Sequence, residues 1–255
     1  AFPYAELVAG NARRGYADRE YELLDTGVFA DNRFFDVRVE YAKASPTDIC
    51  IRVTTTNAGP EAARLWLLPT LWFRNTWSWG AGPEEAWGRP RIAGAAGGVV
   101  AEHATLGRYR LDARDAADWI FTDNETNAAR LFAAANRSPH VKDAFHDWLI
   151  EGDSAAVNPS NTGTKAAAVY PLEIAPGGEA VVSLRLRGED PAGPLMKRPF
   201  GRGFDAVFTK RIAEADAFHE RLAGHLAENE RRVVRQAAAG LVWSQQFYFY
   251  DVPRL

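Results

Sequence analysis

Residues 33–57 read RFFDVRVEYAKASPTDICIRVTTTN. Phe35, Val37, Val39 and Tyr41 alternate with Asp36, Arg38 and Glu40. After a turn at 44–48, Ile49, Ile51 and Val53 repeat the device. A period of two with charges in between marks half-buried antiparallel strands, because successive side chains point to opposite faces. The next segment, AARLWLLPTLWF at 62–73, follows a turn at 57–61 and is apolar almost throughout. It predicts one strand buried on both sides. Three successive strands, about fifteen residues apart, predict a meander within a large sandwich.

Working outward, residues 4–16 predict a short helix and 80–98 a loop rich in Gly, Pro and Ala. Strands are predicted at 97–107, 107–113, 118–124 and 130–135, while 141–150 fits either a short helix or a loop feeding a strand. In 164–190, Val182, Leu184 and Leu186 alternate with Ser183, Arg185 and Arg187. Pro176, Gly177 and Gly178 stand before them as the turn of a predicted hairpin. The composition shifts near 190 to a Pro- and Gly-rich linker, followed by two helical patterns. Phe208, Ile212, Ala215, Phe218 or His219, and Leu222 form the stripe of the first; Val234, Ala237, Leu241, Ser244 and Tyr248 that of the second. The predicted organisation is a β-sandwich domain over 1–190, a linker and connector helix over 191–229, and a further helix from 230 to 255. The chain begins without methionine or signal peptide and ends on an aromatic run, so it is expected to be part of something longer.

Composition excludes several classes. A net charge of −3 with no basic run gives no electrostatic footprint for nucleic acid. No stretch of eighteen uncharged apolar residues is present, so a membrane-spanning helix is not expected. The single cysteine, Cys50, lies in a strand pattern and is expected to be buried and inert. One cysteine builds neither a disulfide nor a thiolate cage, which favours a reducing, cytoplasmic location. The five histidines (103, 140, 146, 219 and 225) lack helix-borne zinc spacing, and no phosphate loop, nucleophile elbow or dinucleotide fingerprint occurs. Neither a metal nor a cofactor is expected.

Two constellations remain. Asp123 and Glu125, around Asn124 in FTDNETN, are two apart and share a strand face at about 7 Å, a spacing within the range of a glycosidase pair. The alternative is a turn whose acids bond their own surroundings. Asp143 and Asp147, with His146, read as helix surface. In 66–79, four of the eight tryptophans are crowded together. Trp66 and Trp72 are expected in the core. Trp77 and Trp79, interleaved with Arg74, Asn75, Thr76 and Ser78, suit either interface packing or contact with a sugar.

These residues carry a resemblance. The segments YELLDTGVF (21–29), 34–61, LLPTLWFRNTWSWG (67–80), FTDNETN (121–127), SPHVKDAFHDWLI (138–150), AVNPSNTGTKAAAVY (156–170) and 234–255 resemble bacterial members of glycoside hydrolase family 63, the mannosyl-oligosaccharide glucosidase-like enzymes. The resemblance implies a mainly β fold: an antiparallel β-supersandwich, then a helical linker and the start of an (α/α)6 barrel. It implies an inverting carboxylate pair in that barrel, downstream of residue 255, hence no catalytic residue within this chain. It also implies sandwich strands upstream of residue 1. The expected function is the non-catalytic sandwich of a glycosidase acting on α-glucosidic or related linkages, with a free-standing carbohydrate-binding or scaffold module as the alternative. The expected partners are an oligosaccharide, met through the parent enzyme, and the chain's own barrel. Self-association through 241–250 is a further expectation. Arg74, Asn75, Trp77, Trp79, Asp123, Asn124 and Glu125 are the residues expected to face substrate or barrel.

Overall fold

A computed structural model describes residues 2–78, 88–190, 196 and 198–245. The chain divides into two compact units, Ala1–Gly201 and Arg202–Leu255.

The first unit is mainly antiparallel β, with two sheets among the described residues. Its strands are β1 (Phe35–Ser45), β2 (Asp48–Asn57), β3 (Ala63–Leu67), β4 (Thr70–Trp72), β5 (Arg91–Ala95), β6 (Gly98–His103), β7 (Gly107–Ala113), β8 (Asp118–Thr122), β9 (Thr162–Gly163), β10 (Lys165–Ile174) and β11 (Glu179–Gly188). Short helices are α1 (Tyr4–Ala12), α2 (Ala128–Phe132) and α3 (Ala144–His146). The larger sheet runs β1-β2-β11-β7-β6-β5-β9. In the smaller, β10 is central, with β3 and β4 along one edge and β8 along the other.

The predicted β1–β2 hairpin forms, with Val39 opposite Val53, but the expected buried face of β1 is corrected: Val37, Val39 and Tyr41 are exposed and Ala42 is the buried residue of that strand. The meander stops there. β3 joins the smaller sheet, and β2 takes β11 as its second neighbour. The predicted hairpin at 176–178 is likewise corrected, since β10 and β11 belong to different sheets. The turn is a crossover, held by buried Asn57. Its Nδ2 donates to Ile174 O at 2.9 Å and Glu61 O at 2.7 Å. Its backbone accepts from Gly177 N at 2.9 Å and donates to Gly178 O at 3.0 Å. Alternation made the strands visible, but it carries no information on which strand pairs with which.

The core lies between the sheets. Val53, Ile92, Val99, Leu111 and Leu184 come from the larger, and Phe121, Ala166, Ala168 and Tyr170 from the smaller. A second cluster covers the other face of the smaller sheet, where Ile120, Ala167 and Val169 meet Phe145 and Val157. That arrangement explains the run of apolar residues in β10: both of its faces are covered. Cys50 is fully buried, as its strand pattern predicts.

Several local expectations change. The 62–73 segment is two strands, interrupted at Leu68 and Pro69, whose carbonyl still accepts from Ala168 N at 3.1 Å. Pro69 has no N–H to give, so the ladder breaks there. Residues 130–135, predicted as strand, enter helix α2; Asn127 caps it by accepting from Arg130 N at 3.1 Å. β5 lies inside the stretch predicted as loop; Ala and Gly carry little strand signal, and its pairing with β6 supplies the order. Residues 144–151 are helical, α3 running into a wider turn that ends at Gly152.

The second unit is a helical hairpin of α4 (Arg202–Ala223) and α5 (Glu228–Trp243). Arg235–Asp216 at 2.7 Å and Arg231–Glu220 at 3.0 Å join the two helices. Phe208 of the predicted stripe is buried, whereas Ile212, Phe218 and Leu222 are about half exposed. On α5, Val234 and Ala238 are half-buried, while Ala237 and Leu241 are exposed. No helix among the described residues is long and apolar enough to cross a membrane.

Candidate functional site

Beyond β4 the chain leaves the sheet. Phe73 still donates its N–H to Thr164 O at 3.0 Å, and residues 74–78 then turn away. Beyond β8, on the opposite edge of β10, residues 123–125 emerge from the same end of the sheet. The register of β10 thus brings together two segments some fifty residues apart in sequence.

Asn124 joins them first. Its Nδ2 donates to Phe73 O at 2.9 Å and its backbone N–H to Thr164 Oγ1 at 2.8 Å. Asn75 returns the contact, its Nδ2 donating to Asn124 O at 2.9 Å and to Glu125 Oε2 at 3.0 Å. The indole Nε1 of Trp77 donates to the other oxygen, Glu125 Oε1, at 2.6 Å. Glu125 is 5% exposed.

Asp123 is partnered just as fully. Ser138 Oγ donates to Oδ2 at 2.6 Å and Arg89 reaches Oδ1 at 2.9 Å. The same guanidinium lies 3.8 Å from Glu125 Oε1 and 5.4 Å from the centre of the Trp77 ring. The backbone completes the set: Asp123 N donates to His140 O and Lys142 N to Glu125 O, both at 2.9 Å. Lys165, at the start of β10, lies 4.4 Å from the Phe145 ring, and burial pulls its pKa below the usual lysine range.

Six of the seven predicted residues therefore fall in one region, and Trp79 lies outside the described residues. Arg74 is exposed at the tip. Arg89, Ser138 and Thr164 complete the cluster and were not predicted. Thr164 enters just ahead of β10, Ser138 from the 137–142 loop and Arg89 from the segment that leads into β5.

The chemistry of the cluster is that of a latch. A general acid must present a proton to a ligand, and a general base must present a lone pair. Both Glu125 oxygens are taken by donors of its own chain, and the carboxylate is enclosed. Asp123 is held by Ser138 and Arg89. The pair fixes three loops to one another. Among the described residues, no group of three His, Cys, Asp or Glu is placed to hold a metal.

The predicted core positions of Trp66 and Trp72 are corrected. Leu67, Leu71 and Phe73 pack against the main core, so the alternating positions Trp66 and Trp72 face outward, 38% and 55% exposed. Trp66 meets Trp148 edge-on at 6.5 Å. The two outward indoles stand opposite Pro171 and Lys165 of β10. Six residues of strand, roughly 20 Å, separate them along one edge.

No protein-family model matches the chain. It is similar to the uncharacterized protein YMR196W of Saccharomyces cerevisiae, 34% identical over 286 aligned positions. That alignment covers 97% of this chain and 26% of the yeast protein, so the chain spans about a quarter of the length of this relative.

Proposed function

We propose that the chain is the non-catalytic sandwich portion of an inverting glycoside hydrolase of the family 63, mannosyl-oligosaccharide glucosidase type, acting on α-glucosidic or related linkages. The observation that carries this reading is the latch. The carboxylate pair that the sequence offers at glycosidase spacing, Asp123 and Glu125, is occupied internally, which suits a scaffold better than an active site that needs free groups. Its rigid tip, built from residues 73–78 and 123–125, is suited to bear on a neighbouring domain. The order of elements supports the reading: two antiparallel sheets are followed by two helices, of which α4 would be the connector and α5 would open the (α/α)6 barrel. Leu241, Val242 and Trp243, about 70 to 80% exposed on α5, fit a helix that expects neighbours. The similarity to a much longer protein is in keeping with a multidomain parent.

Expression of the longer gene product beside this chain tests the reading. The longer product should hydrolyse α-linked glucosyl oligosaccharides with inversion, and this chain alone should not. Hydrolysis by this chain, abolished by Asp123→Asn or Glu125→Gln, would refute it.

A second reading, a carbohydrate-binding module, is favoured by one observation. The outward Trp66 and Trp72 offer flat apolar faces, whereas Trp77 is committed to Glu125. Glucose oligosaccharides titrated against tryptophan fluorescence separate the two: saturable quenching lost in Trp72→Ala supports the module.

A further inference from the structure

The outer face of the larger sheet carries a buried ionic cluster that the proposed function does not use. Asp112 on β7 accepts from two arginines. Arg110 Nε reaches Oδ1 at 2.7 Å, and Arg187 Nε, from β11, reaches Oδ2 at 3.3 Å. Arg110 also donates through Nη2 to Ala96 O in the β5–β6 turn. The two terminal nitrogens of Arg187 have no hydrogen-bond partner among the described residues, although its side chain is only 9% exposed. Two guanidinium groups thus share one carboxylate, and one positive charge stays uncompensated at low exposure. The terminal nitrogens of Arg187 are not sealed from solvent, so an anion can reach them.

The cluster opens into a cleft of about 670 Å³. Arg110, Arg187, Arg114 and Arg198 line it with Asp112 and Asp115; four cations against two anions leave a formal charge of +2. The Arg114 guanidinium sits 5.5 Å from the centre of the Phe200 ring, at the cleft wall. The neighbouring pair on this face is already neutral, since Arg185 grips Asp48 through two bonds of 2.9 and 2.7 Å. Of the residues after β11, Met196, Arg198, Pro199 and Phe200 line the cleft, and none of them is an acid.

We propose that this cleft binds an oxyanion carrying two negative charges, a phosphate monoester or a dicarboxylate. The Arg187 fork would take two of its oxygens, and Arg114 and Arg198 would close over it from the rim. A guanidinium presents parallel N–H groups that match such an anion, and enclosure strengthens each charge-assisted bond. The proposal does not depend on the glycosidase reading.

Calorimetric titration of the 255-residue chain with inorganic phosphate, and separately with malonate, at constant ionic strength set with chloride, provides the test. Saturable binding of either is expected, and the tighter of the two identifies the source. Arg187→Gln should weaken it about tenfold or more, and the rim pair Arg114→Ala/Arg198→Ala several-fold, as lost charge-assisted bonds imply. Arg64→Ala, at an exposed position on the other sheet, should bind as the unaltered chain does. Should Arg187→Gln fail to fold, the rim variant decides, because both of its residues are exposed. Absence of saturable binding, or full affinity in the rim variant, would overturn the proposal.

Discussion

The indole of Trp77 donates to Glu125 across 2.6 Å, and the other Glu125 oxygen takes Asn75 at 3.0 Å. A buried carboxylate so held is costly to remove, because its donors are left unpaired. Glu125→Ala should lower unfolding stability by about 2–4 kcal/mol, the range for breaking a buried charged hydrogen-bond set. Glu125→Gln should recover part, since the amide oxygen still accepts while its NH2 meets donors. Urea unfolding followed by tryptophan emission measures both. Unchanged midpoints would mean that the carboxylate is held for a purpose other than the fold.

Gly163 illustrates how tightly the sheet is drawn in beneath that latch. A Cβ there would stand 2.2 Å from Thr122 O, at the end of β8. Backbone cannot yield as a flexible side chain can. Gly163→Ala should therefore cost roughly 2 kcal/mol or more, an overpacking penalty, and should loosen the Asp123 and Asn124 contacts beside it. Gly203→Ala is the control, because a Cβ there meets nothing within 4 Å and replaces a helical glycine. Thermal melts of the two variants should move in opposite directions.

Asn57 supplies the bond that ties the two sheets at their crossover. Its amide donates to Ile174 O and Glu61 O, while its Oδ1 accepts from Gly59 N at 2.9 Å. Only an amide both donates and accepts here, so Asn57→Asp should be as damaging as Asn57→Ala, each losing about 2–4 kcal/mol. An aspartate variant as stable as the unaltered chain, measured by urea unfolding at neutral pH, would contradict this role.

The contrast between what alternation reveals and what it hides runs through these residues. Ile51, Val53, Val182 and Leu184 were readable as inward positions, because period two follows from strand geometry alone; in β1 the same period gave the strand but not its burial, since Val37 and Val39 are exposed. Beyond the β1–β2 hairpin, their partners were not readable. Whether the chain turns back or crosses at 176–178 depends on the Asn57 staple and on the rest of the core, neither of which has a periodic signature. Trp66 and Trp72 were misread for a related reason. In a strand apolar at every position, the pattern does not say which face meets the deeper core, and the smaller leucines took it. The site was legible in its sequence neighbours, Asn75 with Trp77 and Asp123 with Glu125. Its character as a latch came from Thr164 just ahead of β10, Ser138 in the 137–142 loop and Arg89 just before β5, which only the folded chain brings together.

Tyr170 gives the fold a predictable alkaline limit. Its ring is buried in the main core, and its hydroxyl donates to Arg114 O at 2.8 Å. Burial, and then the charge of Asp115, raise its pKa above the ordinary tyrosine value. A phenol whose folded pKa is raised contributes stability that is fully present below the unfolded pKa, near 10. That stability is lost as pH rises from there toward the folded value, because the unfolded chain releases the proton more readily. Stability should be level from pH 7 to 9 and fall above about pH 10. Tyr170→Phe should lose roughly 1 kcal/mol at pH 7, for the missing hydrogen bond. It should also show a shallower decline at high pH, since one titrating group is gone. Urea midpoints of both proteins at pH 7.5 and about pH 11 decide the matter. Parallel declines would assign the alkaline limit to groups other than Tyr170.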